Sequence, residues 1–181
     1  MFDHVTIRPS NRASSRRFYE AVLARLGHAT THTGAEFDEW SDFSLAPASV
    51  DRPATGHLHT AFVAGSRTEV DAFWRAGVDA GYSSDGKPGL RPEYHDRYYG
   101  GFLLDPDGNG VEAVHDGRPR DGAGVIDHIW LRVGYLEASK RFWVMIRASA
   151  RTAYLARAAG TLSRRRKRPL LRTRRRRRSD P

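Results

Sequence analysis

The feature that most constrains this chain is that it starts over. Phe2-Asp3-His4-Val5-Thr6-Ile7-Arg8 returns as Ile126-Asp127-His128-Ile129-Trp130-Leu131-Arg132, and at the same offset of 124 Ser15-Arg16-Arg17-Phe18-Tyr19 returns as Ser139-Lys140-Arg141-Phe142-Trp143. Two stretches in one ungapped register mean that a structural unit is encoded again. After Trp143 the correspondence ends, because Glu20 to Gly27 has no counterpart in Val144 to Arg151. A further copy is begun and abandoned.

A coarser repeat lies inside the first 117 residues. Phe2 to Arg8 alternates with the period of a strand. Ser10 or Asn11 can cap a helix whose apolar stripe runs Phe18, Tyr19, Val22, Leu23, Leu26, with Gly27 placed to end it. Short aromatic pieces between His28 and Pro47 predict a small antiparallel meander, and residues 47–56 a linker. The order then recurs. Leu58 to Val63 reads as a strand, Ser66 or Thr68 as a cap, Val70 to Ala80 as a helix, and Gly81 as its stop. Asp85 to Pro92 reads as a loop, and strands at Tyr94 to Leu104 and Val111 to His115 flank the turn Asp105-Pro106-Asp107-Gly108-Asn109-Gly110. Strand, helix and strands thus occur twice.

The net charge of +9 belongs to neither part of the chain that carries it. Residues 147–181 hold 13 arginines and one lysine against one aspartate, a net of +13, which leaves −4 for residues 1–146. The body is mildly acidic and the tail strongly basic. With no cysteine, disulfides, thiolate metal sites and thiol nucleophiles are excluded, so any metal must rest on imidazole or carboxylate. No stretch approaches the roughly 20 consecutive apolar residues of a membrane-spanning helix. The expected location is cytoplasmic, with no membrane partner.

Three residues fall at matching points of the repeats: His4 in the first strand, His59 in the strand opening the second unit, and Glu112 just after the turn. Two imidazoles and a carboxylate suit Fe2+, Mn2+, Ni2+ or Zn2+ with open positions for substrate. By residue type alone they equally suit separate polar groups satisfied on the surface or in the core. His57 shares a strand face with His59 and is a candidate acid–base group. Of the neighbours Tyr98 and Tyr99 one must face inward, and Tyr99 is taken as the candidate catalytic hydroxyl. Asp105 and Asp107 lack the further acids of a calcium loop and read as turn formers bonding local amides.

The opening FDHVTIRPSNRASSRRFYEAVLARLG, the segment His59-Thr60-Ala61-Phe62 and the run FLLDPDGNGVEAV resemble the vicinal oxygen chelate superfamily of glyoxalases, extradiol dioxygenases and bleomycin-resistance proteins. The resemblance implies an α+β fold of paired βαβββ modules forming a half-open mixed β-barrel with flanking helices. It further implies His4, His59 and Glu112 as ligands of a divalent metal, and a small-molecule substrate chelated through adjacent oxygens for lyase, dioxygenase or transferase chemistry. The alternative is a non-catalytic binding protein of the bleomycin-resistance type. Glyoxalase I relatives add a fourth ligand, a carboxylate from the last strand of the first module; in the matching region Asp42 to Ala46 no acid stands at that place, Asp42 being the nearest and reading as part of the turn. A homodimer is a possible assembly.

The expected organisation is a domain at residues 1–117, a linker at 118–124, a truncated start of a second such domain at 125–146, and a disordered arginine-rich tail at 147–181. A reading-frame shift after about Trp143 would account for both the broken repeat and the arginines. Such a tail binds polyanions incidentally, through phosphate neutralisation.

Overall fold

The computed structural model describes residues 3–117 and 124–145. The chain divides into two units, Met1–Arg132 and Val133–Pro181. The first is a mixed α+β unit of two sheets that do not close into a barrel.

The first half runs β1 (Val5–Ile7), α1 (Arg12–Leu23), a 3-10 turn (Ala24–Leu26), β2 (His32–Thr33), β3 (Asp38–Trp40) and β4 (Phe43–Leu45). The second half runs β5 (Leu58–Val63), α2 (Arg67–Asp79), β6 (Ser84–Leu90), β7 (Tyr99–Leu104) and β8 (Gly110–His115). In each half the first strand lies parallel to the last, β1 on β4 and β5 on β8. The sheets order as β1-β4-β3-β2 and β6-β7-β8-β5-β9, the fifth strand being β9 (Ile126–Leu131), antiparallel to β5. The second start of the repeat is thus an edge strand on the second sheet.

Local chemistry explains the elements. Asn11 accepts the Ser14 N–H at 3.0 Å and opens α1, while Ser66 accepts that of Glu69 at 3.2 Å and opens α2. Gly27 and Gly81 close the helical segments at φ +74° and +86°, a conformation glycine takes without penalty. Phe18, Tyr19, Val22 and Leu23 of α1 and Val70 and Phe73 of α2 are buried in one continuous core, joined across the halves where Phe43 and Phe62 meet edge to face at 5.0 Å. Asp38, fully buried, faces Arg12 Nε at 3.2 Å and Arg16 at 3.6 Å on α1.

One expectation is overturned and one is refined. Residues 84–90 pair with β7 rather than forming a loop, with register shifts around Gly86 and Gly89. An edge strand tolerates Pro88 and bulged glycines because only one of its sides is paired. The strand expected at Tyr94 to Leu104 is extended only from Tyr99. The turn at Asp105 behaves as predicted and also does more. Asp105 accepts the amides of Asp107 and Asn109 and the hydroxyl of Tyr19, while the Asn109 side chain accepts the Leu58 N–H at 3.1 Å and donates to Thr55. The hairpin turn therefore fixes where β5 begins.

The second unit is described over residues 133–145, where residues 136–145 are helical. The repeat offset carries the first residue of α1 to Leu136, the first of this helix. Residues 118–123 of the expected linker and the whole basic tail lie outside the described residues. Among the described residues no helix is long and apolar enough to cross a membrane.

Candidate metal centre

Strand parity brings three side chains together. On β5, Leu58, Thr60 and Phe62 point to the core, so His59 and Ala61 point to the other face. Ala61 pairs with Glu112 of β8 on one side and His128 of β9 on the other. Glu112 and His128 therefore flank Ala61, with His59 two positions earlier on the same face. Ligand atoms of His59, Glu112 and His128 all lie within 4.8 Å of one another.

The geometry suits a cation. Glu112 Oε2 lies 3.1 Å from His59 Nε2 and 3.7 Å from His128 Nε2. Glu112 Oε1 accepts the Tyr98 hydroxyl at 2.7 Å. His128 Nδ1 donates to Asp127 Oδ1 at 2.7 Å, a carboxylate–histidine pair that leaves Nε2 with its lone pair toward the site. Glu112 is 1% exposed, and a buried carboxylate demands compensating positive charge. Two neutral imidazoles and one carboxylate around a common point are a donor set for a divalent ion with positions left open. Burial, then the charge of Glu112, raises the Tyr98 hydroxyl above its ordinary range, so it stays a proton donor.

Glycines make the room. A Cβ at Gly100 would stand 2.5 Å from Glu112 Oε1, and one at Gly110 would stand 2.9 Å from His59 Nδ1. Outward from the cluster opens a cavity of about 880 Å3, walled by Phe102, Tyr94 and Trp130, with Arg91, Arg132 and His57 also on its lining.

The predicted residues fall as follows. His59 and Glu112 meet as expected. His4 stands just before β1 of the other sheet, exposed, with Nδ1 3.1 Å from Asp3, and the third place is taken by His128, its image in the repeat. Tyr99 donates to Asp71 of α2 at 2.8 Å, away from the cluster, because adjacent residues of a strand face opposite ways. Tyr98 is the hydroxyl that reaches Glu112. His57 stands at the cavity in a left-handed conformation, φ +56°. Both missed residues were signalled: His128 by the offset of 124 from His4, and Tyr98 by sharing parity with Phe102, which pairs with Glu112.

The first sheet carries the same frame without the cluster. An offset of 55 takes His4 to His59 and the cap Asn11 to the cap Ser66. Thr6 pairs with Ser44 as Ala61 pairs with Glu112, so Ser44 occupies the carboxylate's place and bonds Thr6 at 2.8 Å.

Comparison with known proteins agrees with this architecture. Residues 1–113 match the family model of the Glyoxalase/Bleomycin resistance protein/Dioxygenase superfamily. A glyoxalase/bleomycin resistance protein from Albidiferax ferrireducens T118 is similar at 30% identity and TM-score 0.55, over 64% of this chain and 98% of that one. A glyoxalase-related enzyme from Fulvimarina pelagi shares the fold at 22% identity and TM-score 0.50, over 71% of this chain and 97% of that one. A glyoxalase/bleomycin resistance protein/dioxygenase family enzyme from Burkholderia phytofirmans PsJN does so at 18% identity and TM-score 0.50, over 63% and 97%. No curated protein matches.

Proposed function

The chain belongs to the glyoxalase/bleomycin resistance protein/dioxygenase superfamily, and from that premise we propose a divalent-metal-dependent enzyme whose ligands are His59, Glu112 and His128. Its substrate is a small molecule held through two adjacent oxygens, the binding mode from which lyase, dioxygenase and transferase chemistry all proceed. One observation carries the reading: a carboxylate buried to 1% exposure turns one oxygen to two imidazole nitrogens and gives the other to a tyrosine hydroxyl.

When bound, the metal supplies Lewis acidity, lowering the cost of negative charge on the substrate oxygens. The chain's own residues do the rest. Tyr98 holds Glu112 by one oxygen, so the carboxylate presents the other. Asp127 sets the tautomer of His128. Phe102, Tyr94 and Trp130 give the cavity an aromatic wall for the body of the substrate, and Arg91 and Arg132 offer charge to an anionic group on it. His57, at the cavity and outside the cluster, is placed to take or return a proton there.

The test is metal content. Protein purified gently and supplemented with Fe2+, Mn2+, Ni2+ or Zn2+ is expected to retain close to one ion per chain, and Glu112→Gln is expected to lose it. A chain that binds small molecules in the cavity with no metal fits the sequestering alternative instead and contradicts the enzymatic reading.

A further inference from the structure

We infer that Asp42, in the turn between β3 and β4, is a positioning residue for the metal centre: it clamps the start of β9 and so fixes the register in which His128 meets Glu112. The metal half of this inference rests on the ligand set proposed above; the clamp itself rests on hydrogen bonds and strand pairing.

His128 reaches the cluster only because β9 breaks its own parity. Ile126 and His128 are two residues apart, which in a regular strand sets both on one face. Yet Ile126 is buried in the core opposite Phe62, while His128 stands opposite Ala61 on the other face, with Glu112 and His59. The ladder reconciles the two by a register shift between Ala61 and Phe62, which leaves Asp127 as the extra residue of a bulge. Either regular register would spoil the site. Continuing from the pair Ala61 and His128 sets Asp127 opposite Phe62, a carboxylate turned to the core. Continuing from the pair Phe62 and Ile126 sets Asp127 opposite Ala61, beside the Glu112 carboxylate, and turns His128 to the core.

Both sides of the bulge must therefore be held. From His128 onward the ladder with Ala61 to Leu58 does so. Before the bulge the holder is Asp42, which is 7% exposed. Its Oδ1 accepts the amide of Val125 at 2.7 Å and that of Ile126 at 3.3 Å, while the Val125 carbonyl accepts the Val63 N–H at 2.9 Å. Bonds from backbone amides to a buried carboxylate are of the strong, charge-assisted kind. The clamp is itself firmly mounted. Ser41 and Asp42 are the two residues joining β3 to β4, Ser41 is left-handed at φ +56°, and the Asp42 carbonyl accepts the Val5 N–H at 2.7 Å. Gly124, next to the clamped amides, leaves the carboxylate its space, since a Cβ there would collide with Asp42 Oδ2. The acid nearest the place of a fourth metal ligand thus holds backbone instead.

Asp42→Ala in the full chain tests this by cobalt titration and by hydrogen exchange. Co2+ affinity should fall about 10–100-fold. Exchange of the amides of residues 126–131 should quicken at least about tenfold, while that of β7 and β8 holds. In a His128→Ala background the same substitution should change cobalt affinity less than about twofold, because the ligand it positions is gone. Equal losses in the two backgrounds overturn the inference, as does β9 exchange that Asp42→Ala leaves unchanged. Should circular dichroism show Asp42→Ala unfolded, Gly124→Ala decides, since its methyl displaces the carboxylate. It should reproduce both the faster β9 exchange and the loss that depends on His128, and a wild-type response overturns the clamp. Wild-type protein that binds no cobalt refutes the ligand set alone, because the exchange measurement needs no metal and still judges the clamp.

Discussion

The two sheets of this protein are the same design with opposite outcomes. Each lays its first strand parallel to its last, opens its helix seven residues after a histidine, and closes it at a left-handed glycine. Only the second gathers donors. It has Glu112 where the first has Ser44, and it has a strand on the outer edge of β5 where the first leaves β1 terminal. The fold supplies the frame; one residue and one edge strand supply the site.

That comparison breaks most sharply at the carboxylate. Glu112→Gln keeps shape and one acceptor but removes the charge, and metal affinity is expected to fall by more than about 100-fold by calorimetric titration. The reverse graft, Ser44→Glu, is expected to create no comparable binding, because His4 would have one partner instead of two. Stoichiometric metal in a Ser44→Glu, Glu112→Gln chain would show that the edge strand is dispensable.

Support of the ligands comes next. Tyr98→Phe removes the hydroxyl held at 2.7 Å from Glu112 Oε1 and should weaken metal binding about 10–100-fold while leaving the fold intact. Tyr99→Phe, whose hydroxyl bonds Asp71, should leave metal binding unchanged. Equal effects from the two would mean that strand parity does not govern the site. Gly100→Ala places a methyl against Glu112 Oε1 and is expected to lower affinity by less than Tyr98→Phe, since the carboxylate end can shift.

Stability gives a comparison outside the site. In the second half Asn109 is buried and its side chain bonds Leu58 N–H and Thr55 carbonyl, so Asn109→Ala should cost about 1–3 kcal/mol in denaturant unfolding. In the first half His28 bonds the carbonyl of Val63 at 2.8 Å, and burial lowers its pKa. The folded state favours the neutral ring, so the unfolded chain takes up the proton first as pH falls. Stability should therefore decline as pH drops below the ordinary histidine range, and His28→Gln should flatten that decline.

Much of this architecture is legible in the sequence alone. Periodicity located both helices, and the glycines and caps set their ends to within a few residues, because those signals are local. His59 and Glu112 were legible because the repeat marks first strands and the DPDGNG turn marks the last. The edge strand of residues 84–90 was not, since glycine and proline speak against a strand unless it is known to lie at an edge. His128 was hidden for a different reason. Sequence equivalence made His4 and His128 interchangeable, and only the pairing of β9 with β5 decides which of them meets Glu112 in cis.

The most direct measurement is a cobalt titration, followed by ligand-field absorption at micromolar protein, of the wild-type chain, His128→Ala and His4→Ala. Wild type and His4→Ala should each bind one ion per chain with equal affinity, while His128→Ala loses more than about 100-fold. Binding that survives His128→Ala unchanged, or that disappears with His4→Ala, would contradict a metal centre built from His59, Glu112 and His128.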